Sequence, residues 1–387
     1  MVDQSSHLGG QIWRHRERDA LPAVARRWML RFESSGARYV PRAYVIDAQP
    51  YALEAETPNG SVVFRAHAIV LATGARELLL PFPGWTLPNV FGVGGLQALI
   101  KAGLNVAGRR VVIAGSGPLV LPVAATAAQH GARVLEVCEQ ASARHLLAFG
   151  AALWQSPSKV AAAVRYRAAF RGAAFRTHTW IERAHGESRV ERVTLSNGRR
   201  SWTVDCDLVA TACGLVPNVE LGTMLDCRVV NGALSVDDSQ RTSVPTVFAA
   251  GECTGVGGEE LAIAEGEIAG LVAAGRSADS LRAARDRGRH FAQRMATAFA
   301  ARPELLERPD SNTIVCRCED VRMAALRGEW SGGREAKLAT RAGMGACQGR
   351  VCGAALELMF DWAPCTVRPP LLPARADALA SLGEPQP

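Results

Sequence analysis

The sequence predicts an α/β protein: parallel strands wound with helices, followed by a small module organised by cysteines. Three observations carry this. Arg109–Ala114 reads as a buried parallel strand that runs into Gly115-Ser116-Gly117 and then into a helical stretch. The same strand-into-glycine pattern recurs at His67–Thr73 before Gly74, at Asp207–Thr211 before Cys213-Gly214, and at Val244–Ala250 before Gly251. Four cysteines then group as Cys316-Arg317-Cys318 and Cys347-Gln348-Gly349-Arg350-Val351-Cys352.

At 387 residues the chain exceeds one core and divides into two or three domains. The net charge of +7 comes from arginines in short pairs such as Arg109-Arg110 and Arg199-Arg200, and aromatics are only 6 %. No basic block is interleaved with aromatics, which argues against a nucleic-acid surface. Ten cysteines behind a start, Met1–His7, without an apolar signal region point to a reducing, cytoplasmic setting. The uncharged run Val111–Ala128 has the length of a membrane span, but it contains Gly115, Gly117, Pro118 and Pro122. Strand, turn and helix describe it better, and no membrane span is predicted.

The element order follows from that run. After the glycine turn, Leu119–His130 reads as a helix, and Gly131–Cys138 reads as a second strand ending at Glu139. In such a unit the first glycine permits the turn, the second lets a pyrophosphate approach the backbone, and the helix N-terminus adds partial positive charge. Glu139 stands at the spacing of an acid that accepts hydrogen bonds from a ribose diol. Val120 replaces the third glycine of the fingerprint, and Arg144 could accommodate a 2′-phosphate. Gly115, Gly117 and Glu139 are therefore candidate ligands of NAD(P) or another adenine nucleotide. Downstream, Gly251-Glu252 closes a strand ahead of the helical stretch Glu259–Ala274, which puts a carboxylate where it could bind a ribityl hydroxyl.

Residues 275–310 are rich in arginine and alanine, with a helical period broken at Pro303, and read as a connecting helix and linker. Residues 311–365 hold the cysteine module, and the proline-rich tail from Thr366 is expected to run extended over a surface. Cysteines one residue apart do not easily bridge each other, yet both can reach one metal–sulfur core. The second pair lies in the glycine-rich stretch Gly343–Gly353, whose amides could point at cluster sulfurs. A [2Fe–2S] cluster is favoured over structural zinc, which more often uses C-x2-C pairs. Cys138, Cys206, Cys213 and Cys227 are expected in the core, Cys253 as a buried filler, and Cys365 has no assigned role.

Taken together, Gly9-Gly10-Gln11-Ile12-Trp13, Ala72–Glu77, Pro83–Pro88, Gly115–Leu119, Cys213–Asn218, Ala250–Gly255 and Cys316–Gly353 resemble the two-dinucleotide flavoprotein superfamily of thioredoxin-reductase-like enzymes. More narrowly, the chain is similar to the alpha subunits of multi-subunit amine and imino-acid dehydrogenases of the opine oxidase, D-hydroxyproline dehydrogenase and cyanide-forming glycine dehydrogenase type. The resemblance covers nearly the whole chain.

It implies an FAD/NAD(P)-binding Rossmann-like fold with a small helical [2Fe–2S] domain like that of bacterioferritin-associated ferredoxins. The implied domains are an FAD-binding domain in two parts, 1–104 and 226–275, an inserted NAD(P)-binding domain at 105–225, a helical linker at 276–310, the cluster domain at 311–365 and a tail at 366–387. By resemblance, Gly9, Gly10 and Gln11 lie on the flavin side, Thr73 and Gly74 line the FAD path, and Gly251 and Glu252 hold its ribityl–pyrophosphate portion. Cys316, Cys318, Cys347 and Cys352 would ligate the cluster. Asp3 falls at the ribose-acid position of the FAD unit, so the resemblance implies a preceding βαβ unit of about 30 residues with its own GxGxxG. The redox C-x-x-C of thioredoxin reductases does not occur in this sequence.

No acid–base constellation stands out, and no catalytic side chain is assigned; a cofactor would carry the chemistry. His7 could approach the flavin, though a surface position is preferred. The resemblance implies a hetero-oligomer with a second, FAD-containing, substrate-oxidising subunit, together with a small ferredoxin-like subunit. Two other functions fit the same residues: a stand-alone NAD(P)H-dependent iron–sulfur flavoprotein reductase, and a non-enzymatic metal-binding scaffold.

Overall fold

The computed structural model describes residues 1–14, 21–153, 157–363 and 367–380. The chain forms two compact units, each assembled from separated stretches: Met1–Arg76 with Pro217–Gln293 and Thr366–Pro387, and Glu77–Val216 with Arg294–Cys365. The chain passes from one unit to the other after residues 76, 216, 293 and 365.

The second unit is built on a five-stranded parallel sheet in the order Val90–Gly92, Leu208–Ala212, Arg110–Gly115, Arg133–Glu139 and Ala174–Thr177. Its central strand is buried from Val111 to Gly115, because both faces are covered: Val111 and Ile113 pack under helices, and Val112 and Ala114 pack on Ile181, Val193 and Leu195 of an antiparallel sheet. Val120–Gln129 is the crossover helix, and its Val123, Ala124 and Ala127 pack against Val111, Ile113 and Val137. The uncharged run is thus strand, turn and helix; among the described residues no helix is long and apolar enough to cross a membrane. An antiparallel sheet of Trp180–His185, Arg192–Ser196 and Ser201–Asp205 packs Ile181, Val193 and Leu195 on Phe82 and Trp85.

The cysteine module falls within this unit. Ile314–Cys316 and Val321–Arg322 form a short antiparallel pair, followed by helices Met323–Leu326, Gly333–Thr340 and Gly353–Phe360. The indole N–H of Trp85 donates to the Ile314 carbonyl at 2.6 Å, and Arg317 lies 5.3 Å over the Trp85 ring. Ala355 shares a core with Leu78, Leu80 and Leu305.

Asp279–Ala298 is one helix, and Pro303 begins another, Pro303–Glu307, at its first turn, where its missing N–H costs nothing. Phe299–Arg302 joins them without helical structure.

The first unit holds an antiparallel sheet of Tyr44–Gln49, Ala52–Thr57 and Gly60–Arg65 and a parallel pair, Ile69–Leu71 with Val247–Ala249. Val2 bridges Val40 in parallel, and helices Ala23–Ser34 and Glu259–Ala273 complete the unit. The proline-rich tail does not merely run over a surface. Leu371 is buried among Ile69, Leu71 and Val247, and its N–H donates to the Ile46 carbonyl at 2.7 Å.

Candidate functional site

In the first unit, Thr73-Gly74 and Gly251-Glu252 stand at the C-terminal ends of the paired parallel strands, where open α/β sheets place their ligands. Gly74 has φ +69° and Gly251 φ +79°, a region that side chains rarely enter. A Cβ on Gly74 would meet nothing within 4 Å, so the backbone there borders open space. The Thr73 hydroxyl donates to the Asn218 carbonyl at 2.6 Å, and the Asn218 amide returns a bond to the Thr73 carbonyl at 2.9 Å. Burial pushes the Glu252 carboxyl up from its ordinary range, against the N–H of Gly258 that pulls it down.

Glu265, which no motif marks, fixes this turn from below. At 1 % exposure it accepts from the Gly251 N–H at 3.0 Å, from the Thr254 hydroxyl at 2.8 Å, and from Arg289 at 3.1 Å. Its only signal in the sequence is an acid at a helical position that turns out to face the core.

Gly9, Gly10 and Gln11 lie in a turn in which the Trp13 N–H bonds the Gly9 carbonyl at 3.0 Å. A Cβ on Gly9 would stand 2.8 Å from Met29, so packing alone explains that glycine. Gln11 is exposed, and the Asp3 carboxylate accepts from the Ser5 N–H at 2.8 Å. His7 lies on the surface with Ser6, at the edge of an open groove of about 380 Å3 lined also by Met29, Phe32 and Tyr39. The glycine-flanked start of helix Glu259–Ala273 carries Glu259 and Glu260 in its first turn. Two carboxylates there disfavour phosphate. Thr73, Gly74, Gly251 and Glu252 therefore fit the hydroxyl-bearing part of a flavin.

The second unit brings Gly115, Gly117 and Glu139 together as expected from their spacing. The Gly117 N–H donates to Glu139 Oε2 at 2.8 Å, and the Ala141 N–H donates to Oε1 at 2.9 Å. Glu139 is 2 % exposed, and burial raises its carboxyl to about 7 despite those amides. Two side chains that the glycine motif does not include complete the cluster. The Ser116 hydroxyl donates to the Phe299 carbonyl at 2.8 Å, and the Gln140 amide donates to Ser116 Oγ at 2.8 Å and to the Ala300 carbonyl at 3.0 Å. The Ser116 N–H is spent on the Ala212 carbonyl at 2.9 Å, and Pro118 has none. In this arrangement the turn does not fit a dinucleotide, since its amides and its acid are already engaged. Arg144 is exposed, the second residue of helix Ala143–Ala152.

Beneath that turn a cavity of about 10 Å3 is lined by Gln140, Thr211, Cys213 and Arg308. Arg308 donates to the carbonyls of Leu305 at 3.1 Å, Ile181 at 2.6 Å and Leu80 at 3.3 Å. Burial lowers the Arg308 guanidinium, and it raises the Cys213 thiol, which Arg308 pulls back down. Cys138, Cys206, Cys213, Cys227 and Cys253 are all buried, and the Cys253 thiol is turned onto the Ala250 carbonyl at 3.3 Å.

The four paired cysteines gather around the glycine loop. Cys316 faces Cys352, and Cys318 faces Cys347. The Gly343 N–H points at Cys316 Sγ at 3.4 Å. Against the burial that pushes it up, the N–H groups of Val351, Gly349 and Arg350 and the Cys318 thiol hold the Cys347 thiol below its ordinary value. A Cβ on Gly345 would stand 2.3 Å from the Cys318 Cβ, so only glycine lets the loop come this close. Among the described residues no group of three or more His, Cys, Asp or Glu side chains is gathered tightly enough to hold a metal ion. The thiols stand instead as two facing pairs; Cys365 lies outside the described residues.

Comparison with known proteins bears on both units. Residues 35–278 match the family model described as pyridine nucleotide-disulphide oxidoreductase. The chain is 32 % identical to an opine oxidase subunit of Rhizobium meliloti (strain 1021), over 100 % of its own length and 93 % of the relative's. It is 27 % identical to the hydrogen cyanide synthase subunit HcnB of Pseudomonas protegens, over 91 % of this chain and 84 % of that one. Among solved structures, L-proline dehydrogenase from P. horikoshii has a TM-score of 0.66 at 17 % identity, covering 98 % of this chain and 73 % of that one. Thioredoxin reductase from T. acidophilum has a TM-score of 0.53 at 19 % identity, covering 73 % and 88 %. The two structures speak to fold alone, and both are mixed α/β.

Proposed function

Since the chain belongs to the pyridine nucleotide-disulphide oxidoreductase family, we propose that it relays electrons within a multi-subunit enzyme that oxidises an amine or imino acid. It is an oxidoreductase subunit related to those of opine oxidase and hydrogen cyanide synthase, and family membership supports a flavin and a nicotinamide nucleotide as cofactors. The finer reading is this. A partner FAD-containing subunit takes the hydride from substrate, and this chain passes the electrons through a flavin and a [2Fe–2S] cluster. A small ferredoxin-like subunit completes the assembly.

The observation that carries this reading is the cysteine quartet. Four thiols around one glycine loop, with amide N–H groups aimed at sulfur, are the donor type of a dinuclear cluster, whose binding would draw the two facing pairs together and whose charge those amides would offset. Flavin, when bound, supplies both hydride and one-electron chemistry. Thr73, Gly74, Gly251 and Glu252 would hold its hydroxyl-bearing chain, and Glu265 would keep that turn in place. The nine described cysteines are free, as a reducing compartment would leave them.

The closed glycine turn of the second unit favours a relay over a self-sufficient NAD(P)H reductase. Anaerobic reconstitution of the chain with ferrous iron and sulfide tests the proposal. About two irons and two acid-labile sulfides per chain are expected, with the visible spectrum of a [2Fe–2S] centre. Zinc bound in place of iron would remove the relay and leave a scaffold. NADH bleaching a flavin on the isolated protein would support the reductase reading instead.

A further inference from the structure

We infer that Phe299–Arg302 is a strap that holds the second glycine turn shut, so that this unit admits no dinucleotide until the strap lifts. The inference rests on the unit's own residues and is independent of the cysteine module.

A pyrophosphate site at such a turn needs free backbone N–H groups and room above the second glycine. Neither is present. The N–H of Ser116 is bonded to the Ala212 carbonyl and that of Gly117 to Glu139, and the next residue is Pro118. The Phe299 ring reaches to 4.0 Å of where a Cβ on Gly117 would lie, and it meets Phe149 edge-on at 5.1 Å. What remains below the turn, about 10 Å3, has room for one water.

The strap is held by polar groups that a plain connector would not need. The Phe299 carbonyl accepts from the Ser116 hydroxyl at 2.8 Å and from the Gln140 amide at 3.4 Å, and the Ala300 carbonyl accepts from Gln140 at 3.0 Å. Ser116 is 6 % and Gln140 1 % exposed, so both lose these partners outright if the strap leaves. Among the described residues Gln140 Oε1 has no protein partner, although it is buried. At the far end Arg302 bonds His178 Nδ1 at 3.0 Å, pairs with Glu304, and lies 5.3 Å over the Trp180 ring. Only the outer face is open: Ala300 is exposed and Phe299 half-buried. A segment clamped at both ends and exposed along its back can detach without unfolding the sheet beneath it. Once it does, the Gly117 turn and Glu139 face the space that a ribose and its phosphates require.

The test is equilibrium dialysis of the full chain against NADH and, separately, NADPH. Wild type is compared with Phe299→Ala and with the double variant Ser116→Ala/Gln140→Ala, which keeps the strap's own side chains. Each protein is first shown to be folded by its circular dichroism. At least ten-fold tighter binding by the variants than by wild type, for either nucleotide, is the expected result. Wild-type binding within three-fold of both variants would overturn the strap as a seal. Folded variants that bind neither nucleotide would overturn it too, because the turn would then be no nucleotide site. Iron and sulfide content, read on the same samples, reports on the relay separately from either outcome.

Discussion

Glu139 gives its carboxylate to the N–H of Gly117, 2.8 Å away, and so joins the end of one parallel strand to the turn that follows its neighbour. The acid that a ribose would seek is a structural brace in the closed state.

That brace makes stability depend on pH. Burial holds the folded Glu139 carboxyl near 7, above its ordinary 4.5, so the fold keeps a proton that the unfolded chain has already released. Stability from this group is therefore greatest below about 4.5, falls as pH rises towards about 7, and levels off above that. The loss is on the order of 3 kcal/mol across the window. Chemical denaturation of wild type and Glu139→Gln from pH 5 to 8 should show the wild type losing stability relative to the variant as pH rises. Parallel curves would remove Glu139 as the cause.

Cluster assembly should depend on four thiols and on one glycine. Cys318→Ser or Cys347→Ser is expected to lower iron after reconstitution to less than half of wild type, and Cys213→Ser to leave it unchanged. Gly345→Ala should behave like the cysteine variants, because its Cβ would lie 2.3 Å from that of Cys318 and force the loop away. Iron and acid-labile sulfide per chain decide it, and full iron in Gly345→Ala would show that the loop yields.

Removing Glu265 should unfasten the first unit's turn. The group is 1 % exposed and carries Gly251, Thr254 and Arg289 together. Glu265→Ala leaves Arg289 uncompensated and should cost about 3 kcal/mol in urea denaturation. Glu265→Gln keeps an acceptor and should cost less. Equal losses would mean that the ion pair contributes nothing beyond the hydrogen bonds.

Arg308 bonds three buried carbonyls from three separate stretches of chain. Arg308→Met keeps much of the volume but leaves them without a donor, at a cost of about 3 kcal/mol. A midpoint unchanged in denaturant would show that other donors replace it.

The sequence made the regular parts readable. Strand Arg110–Gly115, helix Val120–Gln129 and strand Arg133–Glu139 lie within one or two residues of where apolar runs and glycines put them. Those signals are local: an all-buried strand needs an unbroken apolar run, and a tight turn needs glycine. The quartet Cys316, Cys318, Cys347 and Cys352 was legible as a group for the same reason, although its facing pairs, Cys316 with Cys352 and Cys318 with Cys347, were not. Glu139 stands out by spacing, but its burial to 2 % exposure does not, because burial is set by tertiary packing that local spacing does not carry. The strap could not be read at all. It binds through the carbonyls of Phe299 and Ala300, which every residue possesses, so no side-chain pattern marks it. The tail is a related case: proline-rich surroundings signal an extended path but not that Leu371 enters a core along it.

The tail that reaches back to the first unit sets a condition on synthesis. Leu371 fills the core beside Ile69 and Val247, and Arg375 pairs with Glu56 at 3.1 Å. The other unit waits in the same way for Leu305 and Ala355 to join Leu78 and Leu80. The core of the second unit's parallel sheet is complete by Ala212, but these two clusters wait for residues beyond 350, so the first unit, although it begins at the N-terminus, does not finish first. A nascent chain stopped between Cys365 and Leu371 carries the whole of the second unit but leaves the core of the first unit unfilled.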